Sequence, residues 1–201
     1  MAVIEKTLLA SGIKKIAGVD EAGRGPCAGP LVVAAVILKD PFAKELSAVR
    51  DSKELSEKVR EELFDVIKEQ ALAYSIIDIS VEELDRLGLH KSNLEGMRRA
   101  VNSLEVTPDY VLTDGYPIEG LQVPSLAVWK GDQVAVSISA ASILAKVYRD
   151  RELVKLDSLY PGYGLAKHKG YITAAHTKAL NEFGVTQIHR KSFANIQALL
   201  K

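Results

Sequence analysis

Apolar positions in this chain fall into two patterns, short unbroken runs and stripes spaced three or four residues apart. Lys14–Asp20 reads as a strand whose apolar residues Ile16, Ala17 and Val19 stop where two acids begin. Leu31–Leu38 is almost wholly apolar and rich in valine, the pattern of a central strand covered on both faces. A helix is expected from about Glu57 to Gln70, with Val59, Leu63, Val66 and Ile67 facing inward and Ser56 as its cap. Ala71–Ile79 returns as a strand. Ser80 with Glu83, and Ser92 with Glu95, then read as capping boxes opening two more helices. Tyr110–Thr113 and Leu126–Trp129 are short strands, the first ending at Asp114 and the second running into Lys130-Gly-Asp132. A long helix is expected from Ser137 to Leu159, broken by Pro161-Gly-Tyr-Gly164, with closing helices near Thr173–Glu182 and Ser192–Leu200.

Short connections among the first three strands imply antiparallel pairing, and the last two strands are reached through helices or loops. The expectation is a mixed α/β architecture, a central sheet with helices on both faces. The 201 residues, 47% of them hydrophobic, suit one domain with a sizeable core. No apolar run approaches membrane-spanning length. The N-terminus lacks the basic–apolar–small pattern of a signal peptide, and Cys27, the sole cysteine, reads as buried and structural, so a cytoplasmic location is expected. Formal net charge is zero, but the halves differ: Lys146–Lys201 carries ten Lys/Arg against four Asp/Glu, leaving sixteen against twenty-two before it. Such a division fits either a solvated helical surface or a basic face for a phosphate backbone beside an acidic half that carries ions.

The chemistry concentrates in Gly18-Val-Asp-Glu-Ala-Gly-Arg-Gly-Pro26. Asp20, Asp114 and Asp132 each follow an apolar segment with glycine nearby, and strand ends are where α/β enzymes gather ligands. Neighbouring strand residues face opposite ways, so Glu21 joins Asp20 only if the strand ends or bends there. A lone acid at a strand end is an ordinary turn former; four of them, without a histidine or cysteine set, favour Mg²⁺ or Mn²⁺ over zinc. A pair of such ions suits phosphodiester hydrolysis. Gly23-Arg24-Gly25 is either a tight turn with a surface arginine or a clamp on a nucleic-acid backbone. Lys53 and Lys146 are candidate phosphate contacts, although an i,i+4 pair with Asp150 accounts for Lys146 equally well. Tyr171 is a candidate stacking residue or a packing one.

These segments, with Asp51-Ser-Lys53, Leu112-Thr-Asp-Gly115, Lys130-Gly-Asp132, Ser137–Asp150, His168-Lys-Gly-Tyr171 and His189-Arg-Lys-Ser-Phe193, resemble the bacterial ribonuclease HII (type 2 ribonuclease H) family in order along nearly the whole chain. The resemblance implies an RNase H-like fold with a mixed five-stranded sheet: a single catalytic unit with its core mainly in residues 1–145, followed by the end of the long helix and a basic C-terminal helical extension in 146–201. It implies cleavage on the 5′ side of ribonucleotides in RNA/DNA hybrids or embedded in DNA duplexes, leaving 3′-hydroxyl and 5′-phosphate ends. Asp20, Glu21, Asp114 and Asp132 would carry two Mg²⁺ or Mn²⁺ ions, with Asp20 between them. Gly23, Arg24 and Gly25 would sense the ribose 2′-hydroxyl, Lys53 would touch substrate, and Tyr171 would pack on the following deoxyribose. Ser139, Ile172 and Ala174 depart from the residues usual in the family, without removing an expected ligand. Gln197-Ala-Leu-Leu200 is similar to a sliding-clamp peptide but lacks its aromatic pair; an amphipathic helix end is the simpler reading. Activity as a monomer is expected. The rival readings are a metal-dependent nuclease of broader specificity, a noncatalytic hybrid-binding module and a small-molecule phosphatase.

Overall fold

The computed structural model describes residues 3–200. In chain order the elements are α1 (Val3–Ala10), β1 (Ile16–Ala22), β2 (Leu31–Leu38), α2 (Glu57–Gln70), β3 (Ala71–Ile79), α3 (Val81–Leu87), α4 (Leu89–Asn102), β4 (Tyr110–Asp114) and β5 (Ser125–Val128). There follow α5 (Gly131–Val134), α6 (Val136–Leu159), α7 (Leu165–His168), α8 (Ala174–Phe183) and α9 (Ala194–Gln197). The five strands form one mixed sheet in the order β3-β2-β1-β4-β5. β1 and β2, like β2 and β3, pair antiparallel, whereas β4 joins β1, and β5 joins β4, in parallel.

Central position explains the composition of β2. All eight of its residues are buried. Val32, Ala34 and Val36 face a core shared with α2 and α6, while Val33, Ala35 and Ile37 face one shared with α4. A further apolar cluster joins Cys27 and Leu153 to Leu165, Leu180 and Ile196, seating the C-terminal helices on the far part of α6. Among the described residues no helix is long and apolar enough to cross a membrane.

Several boundaries differ from the sequence expectation for identifiable reasons. β1 runs through both acids to Ala22, because its pairing with β2 continues to Ala22–Val32. The β2–β3 connection is not short; it carries α2. Ser80 does cap α3, accepting from the Glu83 N–H at 3.1 Å, but Ser92 caps nothing: α4 begins at Leu89, directly after the left-handed Gly88, and Ser92 lies buried inside it. The last helix is confined to Ala194–Gln197.

Helix α1 had no sequence forecast, yet it sets the start of α6. Ala135 gives α6 no side-chain cap. Instead Glu5 reaches across, its Oε1 accepting from the Ser137 N–H at 3.0 Å and the Ser137 hydroxyl at 2.9 Å. A carboxylate there also answers the positive end of the helix dipole. Glu5→Ala is therefore expected to cost about 2 kcal/mol, or about 4–8 °C in Tm, with Glu5→Gln losing less because it keeps an acceptor. An unchanged urea midpoint in Glu5→Ala would remove this role.

Candidate active site

Parallel pairing brings the first two aspartates together. Val19 lies level with Thr113, so Asp20 and Asp114 emerge side by side at the ends of β1 and β4. Asp132 comes by another route. β5 stops at Val128, and Asp132 sits in the single turn of α5 rather than at a strand end. That turn is tied down twice: the Gly131 N–H donates to Asp114 Oδ1 at 2.7 Å, and the Ser139 hydroxyl on α6 donates to the Asp132 carbonyl at 2.7 Å. One carboxylate oxygen from each of Asp20, Asp114 and Asp132 lies within 4.8 Å of the others, the only such group of potential ligands among the described residues.

Glu21 stands apart from this trio. Alternation along β1 puts Asp20 on the α6 side and Glu21 on the α4 side. Its Oε1 lies 3.3 Å from Arg24 Nη1, while Oε2 is buried without a hydrogen-bond partner. Asn93 of α4 approaches this carboxylate, and its own amide nitrogen is also unpartnered. Three converging hard oxygen donors and an orphaned carboxylate oxygen beside them fit a divalent cation such as Mg²⁺ or Mn²⁺.

The glycine–arginine turn is packed between two side chains. A Cβ on Gly23, whose φ is +100°, would fall 2.1 Å from Arg149 Nε; one on Gly25 would lie 3.3 Å from the Tyr171 ring. Arg149 is buried and donates to the carbonyls of Pro30, Lys169 and Ala28 at 2.9, 3.0 and 3.1 Å. Arg190, equally buried, donates to Gly29 and Pro30 at 3.0 and 2.9 Å. Two residues of the basic C-terminal segment thus brace the loop from inside rather than facing a ligand. Arg24 is partly occupied as well, its guanidinium 4.7 Å from the Tyr116 ring centre. Lys146 lines the cavity but gives its ammonium to Asp150 at 2.7 Å, as the i,i+4 spacing predicted. Lys53 lies against the acids, Nζ 3.6 Å from Asp132 Oδ2.

Tyr171 is half exposed above a histidine chain. The Thr186 N–H donates to His189 Nδ1 at 3.0 Å, which leaves the His189 proton on Nε2, 3.2 Å from His176 Nε2. His176 accepts there and donates from Nδ1 to the Tyr171 carbonyl at 3.0 Å. Burial, with His176 adding to it, pushes His189 down to about 4, so both rings are neutral near pH 7. Asp20, Glu21, Gly23, Arg24, Gly25, Lys53, Asp114 and Tyr171 share one cavity of about 250 Å³. Asp132 opens instead on a neighbouring one, which Glu21 and Asp114 also line. The sequence reading had assigned no role to Asn93, Tyr116 or the His176–His189 pair, whose signals are scattered through separate elements. Asp51, buried beside Asp132, lay within a recognised segment without being singled out.

Crowding of carboxylates has an electrostatic cost. Burial first, then Glu21, Asp114 and Asp132, holds the Asp20 carboxyl well above its ordinary range, against the 2.7 Å bond it accepts from the Glu21 N–H. Burial also raises Glu21 against Arg24, and raises Asp132 together with Asp51 and Asp114. Burial would lower the Lys53 ammonium, but Asp51, Asp132, Asp20 and Asp114 raise it on balance. Folded, the metal-free protein therefore binds more protons at these acids than the unfolded chain does, so they lower stability as pH rises from about 4 through their raised folded values. Asp132→Asn is expected to leave the metal-free Tm near wild type below pH 4 and to raise it at pH 7, while shrinking the further rise that Mg²⁺ gives the wild type. Thermal melts at both pH values, with and without Mg²⁺, check this; a Tm lowered at pH 7 would contradict it.

A family model described as Ribonuclease HII matches residues 17–196. The ribonuclease HII of Mycobacteroides abscessus is 55% identical over 194 residues, covering 96% of this chain and 83% of that protein. Among solved structures, the ribonuclease H2 of Pyrococcus horikoshii aligns with a TM-score of 0.80 at 29% identity, covering 92% of this chain and 96% of that one. The RNase HII of Archaeoglobus fulgidus, solved in a complex with PCNA, aligns at 0.68 and 30% identity, covering 88% and 93%. The mixed sheet with its added C-terminal helices and the acids at the ends of β1 and β4 accord with these matches, and the chain belongs to the ribonuclease HII family.

Proposed function

We propose that this chain, working as one catalytic unit in the cytoplasm, hydrolyses the phosphodiester on the 5′ side of ribonucleotides in RNA/DNA hybrids and in DNA duplexes with embedded ribonucleotides. As a member of its family it is a metal-dependent hybrid endoribonuclease. The observation that carries the finer reading is the placing of a carboxylate cluster, a glycine turn and a half-exposed tyrosine on one continuous surface. Phosphoester chemistry and sugar recognition then meet at a single phosphate.

Asp20, Asp114 and Asp132, joined by Glu21 from the opposite face of β1, would hold two Mg²⁺ or Mn²⁺ ions. When bound, these supply Lewis acidity, making the attacking water more acidic and stabilising charge on the leaving oxygen. Water oxygen bonds to phosphorus as the bond to the upstream O3′ breaks, giving a 3′-hydroxyl and a 5′-phosphate. The Gly23–Gly25 backbone, braced by Arg149, would meet the ribose 2′-hydroxyl, a group only RNA carries. Tyr171, its carbonyl fixed by His176, would pack on the next deoxyribose and so select a junction by sugar shape. Lys53 would stand between the acids and the substrate backbone. A subsidiary contact with a sliding clamp, through exposed Leu199 and Leu200, draws support from the Archaeoglobus relative, although the aromatic pair is missing.

A labelled DNA duplex containing one ribonucleotide should be nicked immediately 5′ of it in Mg²⁺ or Mn²⁺, with the all-DNA control intact. Asp132→Asn should lower turnover at least about 100-fold, since even outer-shell changes cost 10–100-fold, and should retain duplex binding. Turnover equal to wild type would end its assignment as a ligand. Tyr171→Ala should lose about tenfold or more on a single embedded ribonucleotide, and less on a long RNA tract, given the usual worth of an aromatic contact. Equal losses on both substrates would exclude junction selection by Tyr171.

A further inference from the structure

The chain has a single tryptophan, and it is held out of the fold beside the acids. Trp129 is 81% exposed, the most exposed of the large apolar side chains described. It follows the last residue of β5 and precedes Lys130, whose φ of 52° is left-handed. Among the described residues only one other non-glycine has positive φ, Lys169, two positions before Tyr171. Left-handed backbone is unfavourable for lysine and persists where surrounding structure imposes it, often at ligand sites. Each exposed aromatic near the acids thus lies next to a strained lysine turn.

Sheet order puts these two turns on opposite sides of the acids. Tyr171 abuts Gly25, just beyond the end of β1 toward the β1–β2 loop, whereas Trp129 lies past β4, at the end of β5. Asp20 and Asp114 lie between. A second cavity, of about 430 Å³, runs from Glu21 and Asp114 to Trp129, Lys130 and Gln133. A nucleic-acid strand crossing the acids from Tyr171 would leave along this wall.

We propose that Trp129 and Lys130 form the subsite for the nucleotide on the 5′ side of the scissile phosphate, the one that becomes the 3′-hydroxyl end. This rests on the reading that Tyr171 takes the sugar following the ribonucleotide. With that sugar on Tyr171 and the ribose over the glycine turn, the scissile phosphate falls at the acids and the upstream strand points toward β5. Indole supplies a flat apolar face that accepts any sugar or base, and the lysine supplies charge for a phosphate, a sequence-tolerant pairing. The role also explains why the largest aromatic of the chain is spent on solvent.

The test uses the whole protein and its only indole. Tryptophan emission is followed while a duplex carrying one ribonucleotide is added in Ca²⁺, with strand integrity checked on a gel. Emission should change on binding of the full duplex, and this change should disappear when the upstream part of the ribonucleotide-bearing strand is removed, leaving its complement in place. In Mg²⁺, Trp129→Ala should lower kcat/KM on the full duplex about tenfold relative to wild type, and Trp129→Phe, which keeps a flat ring, should lose less. Emission unchanged on saturated binding, a change that survives removal of the upstream strand, or a kcat/KM for Trp129→Ala equal to wild type would overturn the subsite. Specific nicking in the presence of any of those results leaves the proposed function standing; absence of nicking by the wild type strikes that function instead.

Discussion

The site depends on how closely α6 lies over β1. A Cβ on Gly18 would sit 2.1 Å from the Ser137 carbonyl carbon, so no side chain fits at that crossing. Because the helix backbone rests on the strand there, the following turns of α6 line the cavity that Asp20 and Asp114 share. Ser139 holds the turn carrying Asp132, and Arg149 fills the space behind Gly23. Glu5 secures the first turn of the same helix from α1. Glu5, Ser139 and Arg149 therefore all bear on the site through one helix.

Two kinds of buried charge are treated in opposite ways. Arg149 and Arg190 have their donors satisfied by backbone carbonyls, although burial lowers Arg149 to about 10 and Arg190 to about 9. They stay charged near pH 7 and stiffen the loop that presents Gly23–Gly25. The carboxylates are left with too few donors: Lys53 is mostly exposed, and Glu21 Oε2 has no partner. Such unresolved repulsion costs stability and creates affinity for cations, a common trade at active sites. Stability in this molecule is supplied by the doubly covered β2 and the α6 contacts rather than by the acids.

Sequence and structure agree most closely where a local pattern has one physical outcome. The eight-residue apolar run of β2 permits little besides a strand buried on both faces, and the 24 residues of α6 matched their expected start to within one position. Agreement weakens where outcome depends on distant partners. Ser92 carries the spacing of a capping box, but Asn93, Met97 and Ala100 belong to the same buried face, so the helix had already begun. α1 has no distinctive signal of its own; its function is visible only once Glu5 is seen against Ser137.

The sequence alone determined which residue types were available for chemistry: carboxylates at Asp20, Glu21, Asp114 and Asp132, a glycine turn behind the first pair, and a family resemblance along nearly the whole chain. Convergence was not in it. That Asp20 and Asp114 stand level follows from the parallel β1–β4 register, that Asp132 joins them follows from a one-turn helix pinned by Ser139, and that Glu21 faces the other way follows from strand alternation. The three aspartates that converge are about twenty to more than a hundred positions apart. Spacing along a chain fixes neighbours within a helix or strand; only packing of the elements decides which distant side chains share a few ångströms of space.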